Sequence, residues 1–186
     1  ASRMRLGAGC HDRNIYFYDL PNIDELLDST TDEKASSHLY TGVLSTPSYL
    51  YKKHSSAIIN FDFSLDGTAF QSNCQAGELL FGAFVQDGSD PDKYKVVQKT
   101  SATEMAQYNG MKDIDGDPNF WSQQTCTLGW PVQGIWPPGA DTMDINACDR
   151  SPKEDLLATV DDFGLLKIFR YPCVTEGSKY LKFSGH

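Results

Sequence analysis

The sequence predicts an all-β fold, and more narrowly a partial WD40-type β-propeller. Three stretches carry this prediction, because each has a small or apolar strand, a polar turn centred on Asp or Gly, and a strand of alternating aromatic and aliphatic residues. They are LGAGCHDRNIYFYDL (6–20), AFQSNCQAGELLFGAF (69–84) and LLATVDDFGLLKIFRY (156–171). Since a propeller usually serves as a platform for partners, we expect surfaces rather than catalytic residues to carry the function.

The first blade is cut and the second shows the whole repeat. The chain opens inside a strand and supplies the next one at 14–19. His54 stands where a WD repeat normally has its Gly-His pair, and Gly67 closes a turn because it can adopt positive φ. The strands of the second repeat are predicted at 48–53 (outer), 57–63 (inner), 68–74 and 79–84.

The third blade has predicted strands at 143–148, 156–159, 165–171 and 179–183. The chain then stops at Gly185-His186, the start signal of a further repeat, and it begins without an initiator Met. We therefore expect a fragment of a longer chain with about three four-stranded antiparallel blades, the first incomplete.

Three regions follow from this division. Residues 1–47 hold a partial blade and a polar connection, in which we predict a helical turn around 23–27. Residues 48–111 hold a complete blade and the start of a long connection. Residues 112–186 hold an aromatic connection, the third blade and an outer strand leading to a missing blade. The two long connections make the spacing wider than the ~40–45 residues of a standard WD repeat.

Charge and composition exclude several classes of partner. The net charge of −9 argues against nucleic acid or an anionic membrane as a whole-surface partner. No run approaches the ~18 apolar residues of a membrane span. The basic stretch KYKVVQK (93–99) reads as a solvated edge strand carrying protective Lys residues. We expect no nucleic acid and no membrane among the partners.

The cysteines and histidines give no sign of a cofactor, a metal or an active site. Five cysteines form an odd count without CxxC spacing, which favours free thiols in a reducing compartment. Four histidines occur without a nucleophile signature. The triplet Asp162-Phe163-Gly164 lacks the other kinase motifs, and the acidic stretch 113–117 lacks the Gly and Glu positions of a calcium loop. We predict no enzyme activity.

Three residues are assigned to blade turns. Asp12 and Asp162 lie between the third and fourth strands of their repeats, where a WD blade has an Asp that bonds to the Gly-His histidine. The second blade has Gln75 and Ala76 at that point, so His54 is expected to have a weakened or rearranged set of partners.

The segment 121–146 contains all three tryptophans, and their role has two possible interpretations. In one, the rings cover the joint between neighbouring blades, as buried aromatic residues commonly do. In the other, they form an exposed binding patch. We name Trp130, Trp136, Pro137 and Asp141 as the candidate partner surface.

A series of motifs resembles the echinoderm microtubule-associated protein (EMAP-like) family over nearly the whole chain. It comprises KDI (112–114), TCTLGW (125–130), GIWPPGAD (134–141), DIN (144–146), LLATVDDFG (156–164) and YPC (171–173). The sequence departs from the family pattern where 116–120 are inserted, where Pro138 replaces an acidic residue, and where TMDIN replaces GTDIN.

The resemblance implies part of the second of two joined propellers, in a cytoplasmic, cytoskeletal protein. It implies a non-enzymatic scaffold whose partners are tubulin, microtubules or cytoskeletal adaptor proteins. A WD-repeat adaptor for signalling or ciliary proteins is the alternative. Because about three blades cannot close a ring, we also expect open blade edges through which the fragment could associate with itself.

Overall fold

The computed structural model describes residues 4–20, 45–88, 90, 93–100, 120–153 and 155–184. Some sequence-based predictions lie outside these residues. They are the helical turn at 23–27, the acidic stretch 113–117 and the terminal pair 185–186.

Across these residues the chain forms eleven β-strands and one 3-10 helix, arranged as three antiparallel sheets. The first sheet has the order β1 (Met4–Gly9), β2 (Ile15–Leu20), β3 (Tyr49–Tyr51). The second has the order β4 (Ile58–Phe63), β5 (Ala69–Cys74), β6 (Leu79–Gln86), β7 (Tyr94–Lys99). The third has the order β8 (Ile145–Arg150), β9 (Leu156–Asp161), β10 (Leu165–Arg170), β11 (Tyr180–Ser184). The predicted all-β partial propeller is confirmed.

The outer strands show how successive repeats interlock. Strand β3 pairs with β2 and is the outer strand of the first sheet. In the chain it comes directly before β4, the inner strand of the second sheet. The second sheet takes its own outer strand, β7, from the basic stretch predicted as an edge strand. The β4–β5 turn contains Gly67, which has the predicted positive φ, at 68°.

The first and second sheets share an aromatic core. The ring of Phe17 on β2 lies 4.8 Å from that of Phe70 and 5.0 Å from that of Phe84, both in the second sheet. It also contacts Phe61 and Phe63 on β4. Phe17 is fully buried, so a ring from one sheet fills the interior of the next and fixes their spacing.

Arg5 on β1 packs over the edge of this core. Its guanidinium lies 4.2 Å from the ring centre of Phe84, and its Nε donates to Asp19 at 3.0 Å. The cation therefore keeps a carboxylate partner while it covers an apolar ring.

The third sheet has a separate core. Its buried members are Val132, Ile135, Ile145, Cys148, Leu157, Phe169, Tyr171 and Cys173. The first two come from the 3-10 helix (Trp130–Ile135), which thus packs with the third sheet. Among the described residues, no helical segment has the length and apolar character that crossing a bilayer would require.

Replacing Phe17 should separate the first two sheets. We expect Phe17→Ala to lower the free energy of unfolding by about 3–5 kcal/mol, because it leaves a cavity among four rings. Phe163→Ala is the matched control, since Phe163 is 73% exposed and its loss should change stability by less than about 0.5 kcal/mol. Urea denaturation of the full-length protein measures both, and equal shifts would contradict this role of Phe17.

Candidate partner-binding surface

A segment at 121–127 joins the second sheet to the third. Trp121 pairs with Ser64, and the backbone N–H of Ser122 donates to the carbonyl of Phe63 at 2.8 Å. From the other side, the guanidinium of Arg150 on β8 donates to the Trp121 carbonyl at 3.0 Å. The segment therefore holds the inner strands of both sheets.

Asp62 on β4 is the anchor of this segment. Its Oδ1 accepts hydrogen bonds from the backbone N–H and the hydroxyl of Thr125, at 2.9 and 2.7 Å. Its Oδ2 accepts from the backbone N–H of Cys126 at 3.0 Å and from Nε2 of Gln71 at 2.9 Å. The residue is only 2% exposed, so four donors compensate for a carboxylate removed from water.

Trp121 closes the same joint with its ring. It is 0% exposed and stacks on Phe81 of the second sheet, with ring centres 6.0 Å apart and an interplanar angle of 17°. This tryptophan therefore belongs to the joint between sheets and not to an exposed patch.

Two buried thiols complete the contact with the third sheet. The Cys148 Sγ lies 3.4 Å from each of the carbonyl oxygens of Gln124, Thr125 and Cys126. Burial raises the pKa of Cys148, and burial together with the Asp62 charge raises the pKa of Cys126. Both groups therefore stay protonated, which lets the Cys148 thiol act as a donor to these carbonyls.

The 3-10 helix leads from the joint to the molecular surface. Its Gly134 donates a backbone hydrogen bond to the Cys173 carbonyl at 2.7 Å. A Cβ at this position would lie 2.5 Å from the Thr175 carbonyl oxygen, so only glycine allows the two backbones to approach so closely. The helix is thereby fixed to the segment that follows β10.

Trp136 and Pro137 lie together at a surface cavity of about 420 Å³. The Trp136 Nε1–H donates to the Thr127 carbonyl at 2.8 Å, and its half-buried ring packs against the core of the third sheet. Pro137, Pro138 and Gly139 form an exposed rim. A rigid ring beside exposed prolines is suited to binding an extended peptide.

The other two members of the candidate surface lie apart from this cavity. Trp130 begins the 3-10 helix and is half-buried. Asp141 is exposed and forms a local turn, in which its Oδ1 accepts from the Met143 N–H at 3.2 Å. Neither residue lines the cavity.

The aspartates assigned to blade turns make local contacts. Asp12 accepts hydrogen bonds from the backbone N–H of Asn14 at 3.1 Å and from the Tyr16 hydroxyl at 2.5 Å, and the bond from Tyr16 lowers the pKa of Asp12. Asp162 accepts from the Asn146 side chain at 2.8 Å. The partners seen for both residues are therefore neighbours in their own sheets rather than histidines.

Asp161, which the sequence analysis did not select, fixes the turn between β9 and β10. Its Oδ1 accepts from the backbone N–H groups of Phe163 and Leu165, and its Oδ2 pairs with the Lys167 ammonium at 2.7 Å. Burial alone would raise the pKa of Asp161, but these donors outweigh burial and lower it.

His54 has the rearranged set of partners that the sequence led us to expect. Its Nε2 lies 2.7 Å from the Ser72 hydroxyl, and its Nδ1 lies 3.4 Å from Oε2 of Glu78. Glu78 thus supplies the carboxylate that Gln75 and Ala76 lack. Burial lowers the pKa of His54, whereas hydrogen bonds from Ser55 and Cys74 lower the pKa of Glu78 to about 2.

Comparison with known proteins gives one consistent set of similarities. The family model described as the echinoderm microtubule-associated protein second beta-propeller matches residues 1–186. Echinoderm microtubule-associated protein-like 2 of Mus musculus is 33% identical over 181 residues, which are 97% of this chain and 22% of that protein. The 77 kDa echinoderm microtubule-associated protein of Lytechinus variegatus is 37% identical over 133 residues, covering 72% of this chain and 17% of that protein.

A third relative gives the same proportions. Echinoderm microtubule-associated protein-like 1 of Rattus norvegicus is 32% identical over 181 residues, which are 97% of this chain and 18% of that protein. The chain therefore spans only about a fifth of the length of the curated relatives it matches.

The carboxylate of Asp62 should contribute strongly to the free energy of unfolding. We expect Asp62→Asn to lower the free energy of unfolding by about 3 kcal/mol, because an amide NH₂ opposes the buried donors that the carboxylate accepts. The control Asp155→Asn makes the same charge change at an exposed residue and should be nearly neutral. Urea midpoints of the full-length variants test this, and a neutral Asp62→Asn would show that the joint does not need the carboxylate.

Asp161 should make the stability of the protein depend on acid pH. Because its pKa is lower when folded than the 3.8 of the unfolded group, its contribution is complete above about pH 4 and is lost as pH falls through the folded pKa. The thermal midpoint of Asp161→Asn should therefore fall less steeply than that of the wild type between about pH 4 and 2. Asp162→Asn is the control, because it removes the exposed carboxylate of the next residue in the chain. Its thermal midpoint should fall with pH as steeply as that of the wild type. Identical slopes for Asp161→Asn and the wild type would refute the assignment.

Proposed function

The chain belongs to the echinoderm microtubule-associated protein family, and we propose that it forms part of a non-enzymatic WD-repeat scaffold of the cytoplasmic cytoskeleton. Its proposed partners are tubulin, microtubules or cytoskeletal adaptor proteins. The observation that carries the proposal is the match of the second-propeller family model to residues 1–186. The names of the relatives, which describe microtubule-associated proteins, supply the partner class.

We propose the cavity beside Trp136 and Pro137 as the contact surface. Trp130 and Asp141 do not line it and are not part of this surface. Trp136 is held by its hydrogen bond to Thr127, so its ring is presented with little loss of conformational freedom on binding. The exposed prolines next to it add rigid apolar surface. Aromatic side chains set in such surroundings are frequent hot spots of protein–protein interfaces.

The charge of the chain supports a specific contact over general attraction. At −9, the chain gains nothing from long-range attraction to an acidic protein surface. Binding to tubulin would then depend on short-range packing and hydrogen bonds, and it would be less sensitive to salt than binding by a basic segment.

Co-sedimentation of the full-length protein with microtubules tests the proposal. We expect the wild type to pellet and Trp136→Ala to bind at least about tenfold more weakly, a loss of about 1.4 kcal/mol. Tyr180→Ala is the control, because Tyr180 is an exposed aromatic residue on β11 away from the cavity. Thermal midpoints of both variants separate lost binding from lost folding.

The outcomes separate the partner from the surface. If the wild type stays in the supernatant at low salt, the microtubule function is refuted. If the wild type pellets and a folded Trp136→Ala binds equally well, the contact lies elsewhere on the protein.

A further inference from the structure

Three side chains with metal-binding atoms meet at one corner of the second sheet. His54 lies in the connection from β3 to β4, Cys74 ends β5, and Glu78 lies in the turn before β6. Oε2 of Glu78 lies 3.4 Å from Nδ1 of His54 and 3.2 Å from Sγ of Cys74. All three ligand atoms lie within 4.8 Å of one another.

His54 is buried and its Nδ1 faces Glu78. Its side chain is 0% exposed, and the contact of Nδ1 with Oε2 of Glu78, at 3.4 Å, lacks the geometry of a hydrogen bond. When Nε2–H donates to the Ser72 hydroxyl at 2.7 Å, Nδ1 carries a lone pair that faces the Glu78 carboxylate. In this tautomer two acceptors face each other across 3.4 Å, and a cation between them would remove their repulsion.

The chemistry and spacing of these atoms select zinc. Imidazole nitrogen, thiolate sulfur and carboxylate oxygen are all zinc ligands in proteins, whereas calcium and magnesium prefer oxygen ligands alone. Zinc bond lengths of about 2.0–2.3 Å in a tetrahedron place N and O about 3.4 Å apart and S and O about 3.6 Å apart. The two separations that involve Glu78, 3.4 and 3.2 Å, agree with this geometry to within a few tenths of an ångström. The His54 and Cys74 ligand atoms lie within 4.8 Å of each other and would draw together around the ion.

We propose that His54 Nδ1, Cys74 Sγ and Glu78 Oε2 bind a Zn²⁺ ion, with the fourth position open to water or to a ligand from a partner. Neighbouring side chains already orient two of the three ligands. Ser72 orients the imidazole through Nε2, and Ser55 holds the carboxylate through its N–H at 3.0 Å and its hydroxyl at 2.9 Å. Glu78 is about one-third exposed, which gives the ion a route from solvent.

Binding replaces the S–H bond of Cys74 with a Zn–S bond and releases the thiol proton to solvent. The ion would tie the connection leaving the first sheet to the β5–β6 turn of the second. The sequence analysis expected no metal, because the three ligands do not form a short motif such as CxxC. Strand pairing brings them together.

Metal titration of the full-length protein tests the site independently of microtubule binding. After chelator treatment and desalting, we expect zinc to restore one equivalent per chain that Cys74→Ser does not take up, measured by elemental analysis. Cys10→Ser is the matched control, since Cys10 is an exposed cysteine outside the cluster, and it should keep that equivalent. Zinc should also raise the thermal midpoint of the wild type and of Cys10→Ser, but not of Cys74→Ser.

Cobalt substitution covers the case in which Cys74→Ser fails to fold. Co²⁺ in the wild type should give a thiolate-to-metal charge-transfer band, and Glu78→Gln, which changes a partly exposed side chain, should weaken or remove it. The proposal is overturned if Cys74→Ser keeps the same zinc content as the wild type. It is equally overturned if the cobalt spectrum of the wild type shows no thiolate band, or if Glu78→Gln leaves that band unchanged.

Discussion

The buried carboxylate of Asp62 is the constraint on which the arrangement of the second and third sheets depends. A charge inside a protein is stable only when donors surround it, and here two backbone N–H groups, a hydroxyl and an amide do so. Two of these residues belong to the linking segment, so the segment has one favourable position. Its carbonyls then receive the Cys148 thiol and the Arg150 guanidinium from β8. The third sheet is placed relative to the second by a chain of polar contacts that begins at one side chain.

The first two sheets are joined by a different kind of force. Phe17 enters a group of four rings, and Arg5 covers the edge of that group, so burial of apolar surface dominates this joint. Apolar packing tolerates small changes of shape, whereas a buried polar network requires all its members. The contact between the first and second sheets therefore tolerates changes of side-chain shape. The contact between the second and third sheets depends on each of its polar groups.

The strands could be predicted from the sequence because their signals are local. Alternating aromatic residues marked β2, β6 and β10, and Gly67 marked its turn. The partners of the turn residues could not be predicted, because they depend on contacts across strands. The pair Asp161-Asp162 shows this: the sequence favoured Asp162 by analogy with a blade turn, but strand alternation buries Asp161 and exposes its neighbour. The role of Asp62 was hidden for the same reason, since its donors at 125–126 lie more than sixty residues later in the chain.

The five cysteines offer a way to follow how the sheets come apart. None of them forms a disulfide, and only Cys10 is exposed, while the other four are buried. A buried thiol reacts with an alkylating reagent only when its surroundings open, so its reaction rate reports the free energy of that local opening. Cys148 lies under the linking segment and Cys173 lies in the core of the third sheet. Mass spectrometry of the alkylated peptides would therefore compare the opening of the polar joint with that of a sheet interior, using reporters that the chain already carries.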